Sequence, residues 1–198
     1  MILKLASIFF TMILVDNYVL SKFLGICPFL GVSKKLDSAV GMSLAVTFVM
    51  VMATAATWPL YMLVLEPNGM GYLQTIVFIL VIAILVQLLE NLLKKFIPSL
   101  YAALGVYLPL ITTNCAILGV TILNIDNGYN FVESIVCAAG AGIGFLLAMV
   151  LFSGVRRKVE AAKPPKCFEG LPITLVAAAM TSMSFMGFGG IVSAIFGV

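Results

Sequence analysis

Two cysteines stand in a repeated sequence context, and they are the residues of this chain best suited to chemistry. Cys27 begins the segment CPFLGV and Cys115 begins the segment CAILGV, so that Cys, Leu, Gly and Val recur at the same offsets. The two copies are 88 positions apart in a chain of 198 residues. Because thiolates bind soft metal ions and iron–sulfur clusters, the repeat selects Cys27 and Cys115 from the four cysteines as candidate ligands.

The residues alone leave four uses open for such cysteines. Burial as a small apolar residue is the usual fate of a free cysteine, and it accounts for Cys137 and Cys167. A disulfide between Cys27 and Cys115 is less favoured, because structural disulfides belong to oxidising compartments. Zinc takes four ligands, and with no histidine in the chain only thiolates and carboxylates could supply them. An iron–sulfur cluster takes four cysteines, so a partner chain would have to provide the other two.

The elements that position these cysteines are membrane helices. Hydrophobic residues make up 63% of the chain and charged residues 10%, against about 45–50% and about 25% in soluble domains. A spanning helix needs about 20 mostly apolar residues. Six runs of this kind occupy nearly the whole sequence, at positions 2–22, 38–60, 72–93, 100–123, 131–153 and 171–194. The composition therefore predicts an all-α integral membrane protein with six transmembrane helices.

Basic residues in the connections between these runs predict the orientation. They fall in the odd-numbered connections, which hold Lys34, Lys35, Lys94, Lys95 and five more between positions 156 and 166. Since Lys and Arg in short loops stay on the cytoplasmic side, we expect cytoplasmic odd connections and both termini outside. Lys4 alone opposes this assignment. The net charge of +3 is thus explained by basic residues in the cytoplasmic connections. It gives no support for a nucleic-acid partner.

The cysteine repeat divides the chain into two halves of about 1–97 and 98–198, with three spans each. An odd number of spans inverts the second half relative to the first, which is a common architecture of secondary transporters. We therefore expect one membrane domain, residues 1–198, folded as a three-plus-three inverted repeat.

Both cysteines lie where a regular helix is difficult to maintain. Pro28 disfavours helical geometry at Cys27, and Pro109 with the polar run 112–114 does the same before Cys115. Irregular backbone at membrane depth persists only where it is buried in protein or lines a cavity. Broken helices are therefore predicted in spans 1 and 4, with both cysteines together near the middle of the bundle.

Three polar residues near these motifs are candidates for ion binding or charge compensation. Asp16 lies deep in the first span, where it needs a partner, and either an ion role or structural pairing would satisfy it. Lys22 could extend to the cytoplasmic face or offset the charge of a metal centre. Asn114 directly precedes Cys115 in the second motif.

Two long segments carry a family resemblance. NYVLSKFLGICPFLGVSKKL (17–36) and ALGVYLPLITTNCAILGV (103–120) resemble the signature regions of the A-type subunits of Rnf complexes, the ion-translocating ferredoxin:NAD oxidoreductases. The similarity continues through segments 129–136, 140–152 and 183–190.

A nearby alternative is the E-type membrane protein of the sodium-translocating NADH:quinone reductase, Nqr. Its motifs resemble FFLGMCTFLAVSKK and LITVNCAIFGG. Four features of this sequence resemble the Rnf motifs more closely than the Nqr motifs, namely Lys22, Pro28, Thr113 and the ending formed by residues 118–120.

The resemblance implies a shared metal centre. Cys27 and Cys115 would bind one edge of a 2Fe-2S cluster, and the homologous E-type Rnf protein, of opposite orientation, would supply the other two ligands. Such a protein carries electrons across the prokaryotic cytoplasmic (inner) membrane, coupled to Na⁺ or H⁺ movement, together with the Rnf proteins of types B, C, D, E and G. No phosphate loop, dinucleotide fingerprint or nucleophile–base pair occurs in the sequence, so we expect no active site within this chain. The remaining alternative is a cofactor-free secondary transporter whose broken helices hold a solute.

Overall fold

The computed structural model describes residues 2–33, 36–96, 108–162, 165 and 169–187. Within these ranges the chain is helical and contains no strand. The helices are α1 (Ile2–Leu14), α2 (Ile26–Val32), α3 (Leu36–Leu60), α4 (Gln74–Phe96), α5 (Leu108–Thr112), α6 (Cys115–Asp126), α7 (Phe131–Ala161) and α8 (Leu171–Met186).

Apolar helices lie at all six places where the sequence predicts spans. Three helical stretches are long and apolar enough to cross a membrane, at Ser38–Leu65, Gly71–Asn91 and Phe131–Val159. Three shorter apolar helices are Lys4–Leu14, Leu110–Asp126 and Leu171–Met186. The rest of the fourth and sixth predicted spans, positions 100–107 and 188–194, lies outside the described residues. The prediction of a helical membrane protein is confirmed, and the six-span inverted repeat stays a prediction.

Helix α7 forms the centre of the bundle and makes its largest contacts with α3 and α1. Small residues allow this close approach. A Cβ atom at Gly142 would overlap the side chain of Thr47 on α3, and one at Gly144 would lie 3.0 Å from the carbonyl oxygen of Met12 on α1. Apolar surface gains little by leaving lipid, so helices in membranes associate through such tight van der Waals contact.

Two polar contacts fix which parts of the chain share an end of the bundle. Lys4 Nζ lies 2.8 Å from Glu133 Oε1, so the start of α1 adjoins the start of α7. At the other end, Arg156 on α7 donates to the hydroxyl of Ser33, which follows α2, at 2.8 Å. The first connection and the basic end of α7 therefore share one end of the bundle. Lys4, the charge that opposed the predicted orientation, is paired with a carboxylate.

The first helix break spans residues 15–25, between α1 and α2. The side chain of Asn17 replaces helical hydrogen bonds there, because its amide donates to the carbonyl of Gly144 at 2.7 Å and its oxygen accepts from the Val19 N–H at 3.1 Å. The prediction that Cys27 itself lies outside helical geometry is wrong. Cys27 and Pro28 fall in the first turn of α2, where a proline lacks an N–H that would have no helical partner anyway.

The second break lies between α5 and α6, at Thr113 and Asn114. Asn114 is extended, with φ −74° and ψ 108°, and forms the N-cap of α6. Both predicted breaks are thus present, and each is followed directly by a helix that carries a motif cysteine in its first turn.

Candidate functional site

The two cysteine motifs touch each other in the folded chain. The backbone N–H of Gly25, two residues before Cys27, donates to Cys115 Sγ at 3.2 Å. Cys115 is the first residue of α6 and Cys27 the second of α2. Both thiols are exposed, so they do not lie inside the bundle of this single chain as the sequence suggested. The arrangement presents two thiols at a surface where another chain could reach them.

Gly25 permits this contact, because a side chain at this position would be both strained and crowded. Its φ of +83° lies in the left-handed region, which glycine adopts without steric cost. A Cβ atom at this position would lie 3.1 Å from Asn114 Oδ1 and 3.2 Å from the Cβ of Ala116. The loop before Cys27 therefore lies directly against the N-terminus of α6.

Asn114 is a deeply buried polar residue next to a motif cysteine, with 4% of its surface exposed. Its side-chain oxygen accepts from the Ala116 N–H at 3.1 Å and caps α6. Its amide nitrogen is buried and has no hydrogen-bond partner among the described residues. An unsatisfied buried donor costs about 1–3 kcal/mol, so this atom needs a partner that the described residues do not provide.

A cavity adjoins Asn114 and Cys115 at the second break. Its volume is about 250 Å³, and its walls come from α4, α5, α6 and the break, namely Ile79, Ile82, Thr112, Thr113, Asn114, Cys115 and Leu118. The lining is mostly apolar, and its polar residues are Thr112, Thr113, Asn114 and Cys115. The thiol on this cavity belongs to the exposed Cys115.

The other two polar candidates pair with each other. Lys22 Nζ lies 3.8 Å from Asp16 Oδ1 and 5.5 Å from the ring centre of Tyr18. Both side chains are about a third exposed, at 35% and 38%, so the ion pair contributes about 0–1 kcal/mol. Asp16 therefore has a partner within the chain, and its candidate role in ion binding stays a prediction.

Arg156 is a positioning residue that the sequence did not reveal. The residue is 8% exposed and donates to the Leu30 carbonyl at 2.5 Å and to the Ser33 hydroxyl at 2.8 Å. It therefore binds the C-terminal end of α2, the helix that carries Cys27. In the sequence, Arg156 is the first basic residue after the apolar run of α7. That position indicates the orientation of the chain in the membrane but predicts no contact with α2.

The cysteines in the described part of the chain could supply two of the four ligands of a metal centre. Cys137 is buried, with 1% exposure, as expected for a small core residue, and Cys167 lies outside the described residues. In the ranges that the structure covers, no group of three or more His, Cys, Asp or Glu side chains could hold a metal ion. The two motif thiols are exposed, and the amide donor of Asn114 is buried without a partner among the described residues.

Comparison with known proteins agrees with the cysteine motifs. Residues 5–192 match the family described as "Rnf-Nqr subunit, membrane protein". The chain is 56% identical over 188 residues to the A component of the Na(+)-translocating ferredoxin:NAD(+) oxidoreductase complex of Acetobacterium woodii, covering 95% of this chain and 98% of the relative. It is also 55% identical to the A component of the ion-translocating oxidoreductase complex of Syntrophotalea carbinolica, over 91% of this chain and 93% of that protein. The resemblance inferred from the motifs is confirmed, and the chain belongs to the Rnf-Nqr family of membrane subunits.

Proposed function

We propose that this chain is the A-type membrane component of an Rnf-type ion-translocating ferredoxin:NAD oxidoreductase. It acts as a non-autonomous part of that enzyme in the prokaryotic cytoplasmic membrane. The high identity to components of that name, over nearly the whole of both chains, supports this role. The single observation that carries the chemistry is the hydrogen bond from Gly25 to Cys115 Sγ, because it joins the two cysteine motifs at one surface.

Cys27 and Cys115 are the two ligands that this chain contributes to a 2Fe-2S cluster. Such a cluster, when bound, accepts and releases one electron. Exposure of both thiols fits a centre completed by another chain, since four protein ligands are needed. The Gly25 N–H and the N-terminal end of α6 place positive partial charge at the Cys115 sulfur, which offsets the negative charge of thiolate ligands.

The partner that shares the cluster is the paralogous E-type Rnf protein, inserted in the opposite orientation. We assign this chain six spans as a three-plus-three inverted repeat with both termini outside. Helix breaks before both motif cysteines support the repeat. A homologue inserted the other way up would present a matching pair of thiols to the same site. The Rnf proteins of types B, C, D and G complete the complex, and electron transfer is coupled to movement of Na⁺ or H⁺.

A second candidate function is a cofactor-free secondary transporter. The cavity of about 250 Å³ at the second break, with its hydroxyl and amide groups, favours this alternative. A transporter has no use for two thiols, whereas an electron carrier requires them. The test is the iron content and visible absorbance of the purified complex. We expect iron and a 2Fe-2S spectrum that both diminish in the Cys115→Ser complex. A spectrum unchanged by that substitution, with ion transport retained, would support the transporter.

A further inference from the structure

We propose that the side-chain amide of Asn114 donates a hydrogen bond to a sulfur atom of the cluster bound through Cys115, and that this bond raises the reduction potential of the cluster. The inference rests on the proposed function, because it assigns Asn114 a role at the same centre.

The amide group of Asn114 has a defined orientation. The Ala116 N–H at the start of α6 needs an acceptor, and Asn114 Oδ1 provides it at 3.1 Å. This contact decides which end of the amide is oxygen. The nitrogen therefore faces away from the helix end, and its two N–H groups are the ones left without a partner among the described residues.

Capping of α6 does not by itself require asparagine. Ser, Thr or Asp caps a helix about as well as Asn, and none of them would leave a buried amide donor unsatisfied. With 4% of Asn114 exposed, water does not reach this nitrogen freely. The extra donor is stabilising only if an acceptor that the described residues do not supply lies beside it.

The surroundings of this nitrogen indicate which acceptor fits. Asn114 and Cys115 line the same cavity, and the loop at Gly25 contacts both, through the Asn114 oxygen and the Cys115 sulfur. A cation is a poor candidate, because an N–H group repels it and the amide oxygen is already engaged. Thr112 and Thr113, the other polar residues of the cavity, have interactions of their own. Cys115 is the next residue along the chain, and a cluster bound there would bring sulfur acceptors to the cavity that Asn114 also lines.

The effect of this hydrogen bond on the reduction potential follows from the charge of the cluster. A reduced cluster carries one more negative charge than the oxidised form, so a hydrogen bond to its sulfur stabilises the reduced form more strongly. Hydrogen bonds to the sulfurs are among the factors that set the potentials of such clusters, and a low local dielectric strengthens them. Loss of the Asn114 donor should therefore shift the midpoint potential to a more negative value.

The test is a redox titration of the whole purified complex, followed by the EPR signal of the reduced cluster. Asn114→Ser keeps a capping oxygen and removes the amide N–H groups, leaving only a shorter hydroxyl at this position. We expect a more negative midpoint potential and loss of one exchangeable deuteron coupling after transfer to D₂O. The matched control is Asn124→Ser, which changes another buried asparagine of α6 whose amide donates to the Ser134 carbonyl at 3.3 Å. This control should leave the midpoint unchanged.

A measurement on the unmodified complex covers the case in which the variant does not assemble. With ¹⁵N in the asparagine side-chain amides, pulsed EPR should detect a nitrogen coupled to the cluster. An intact 2Fe-2S signal without this coupling would overturn the role of Asn114, and so would an unchanged midpoint potential in Asn114→Ser. Neither result would contradict the shared cluster. Absence of any 2Fe-2S signal from the unmodified complex would overturn the proposed function itself.

Discussion

The backbone N–H of Gly25 and the sulfur of Cys115 form a hydrogen bond of 3.2 Å, although the residues are 90 positions apart in sequence. This contact joins the loop that precedes one motif cysteine to the other motif cysteine. Any change that displaces the loop should therefore disturb both ligands at once.

Gly25→Ala should destabilise the complex by about 1–3 kcal/mol, because alanine is strained at a left-handed φ and its Cβ would crowd Asn114 and Ala116. The measurement is thermal inactivation of the purified complex, together with its iron content, and we expect both the stability and the iron content to fall. Gly41→Ala is the matched control, because no atom lies within 4 Å of a Cβ there. Equal behaviour of the two variants would contradict the close approach at Gly25.

Arg156→Ala should cost about 1.5–3 kcal/mol, since it removes charged hydrogen bonds from the end of the helix that carries Cys27. Arg157→Ala is the control, because it removes the same charge from an exposed neighbour on the same helix. We expect only Arg156→Ala to lower the thermal stability and the iron content of the complex. If both variants lose iron equally, the effect comes from net charge and not from the contacts with α2.

Serine substitutions should separate ligand cysteines from the rest. Cys27→Ser and Cys115→Ser should abolish electron transfer in assembled complexes, because serine keeps the volume of the side chain but binds iron poorly. The same change at buried Cys137, or at Cys167, should retain transfer. Ferredoxin-dependent NAD reduction in membrane vesicles provides the measurement. Equal damage from Cys167→Ser and Cys27→Ser would indicate a ligand set that includes the fifth connection.

The orientation of the chain can be tested with protease-accessible tags. Tags at both termini should be cleaved from the outer face, while a site inserted between positions 156 and 166 should be cleaved only from the cytoplasm. The contact between Lys4 and Glu133 places the N-terminus with the connection between α6 and α7, so both should behave alike. A cytoplasmic location for either terminus would overturn the assigned orientation and the inversion of the repeat.

The helix breaks could be predicted from the sequence because their causes are local. Proline at 109 and the polar run before Cys115 interrupt an otherwise apolar span, and the structure breaks there. The exact start of α2 could not be predicted, since Pro28 is disfavoured within a helix but accepted in its first turn. Helical geometry resumes at Ile26, directly after Gly25 with its φ of +83°.

The contacts between residues that are distant in the chain could not be predicted from a single sequence. Arg156 and Ser33 are 123 positions apart, and only the packing of α7 against α2 reveals that this arginine holds a helix end. The pairing of Asp16 with Lys22 depends on the turn that follows α1, which hydropathy does not describe. Asn114 was a candidate by position alone, and its unsatisfied nitrogen is visible only in the folded chain.

The central claim is that the cluster belongs to an interface between this chain and its paralogue. The most direct measurement is iron per protein, with the EPR spectrum, for the chain purified alone and for the chain purified together with the E-type Rnf protein. Because this chain supplies two of four ligands, we expect no cluster in the isolated chain and about two irons per pair. A fully occupied 2Fe-2S centre in the isolated, monomeric chain would contradict the shared site.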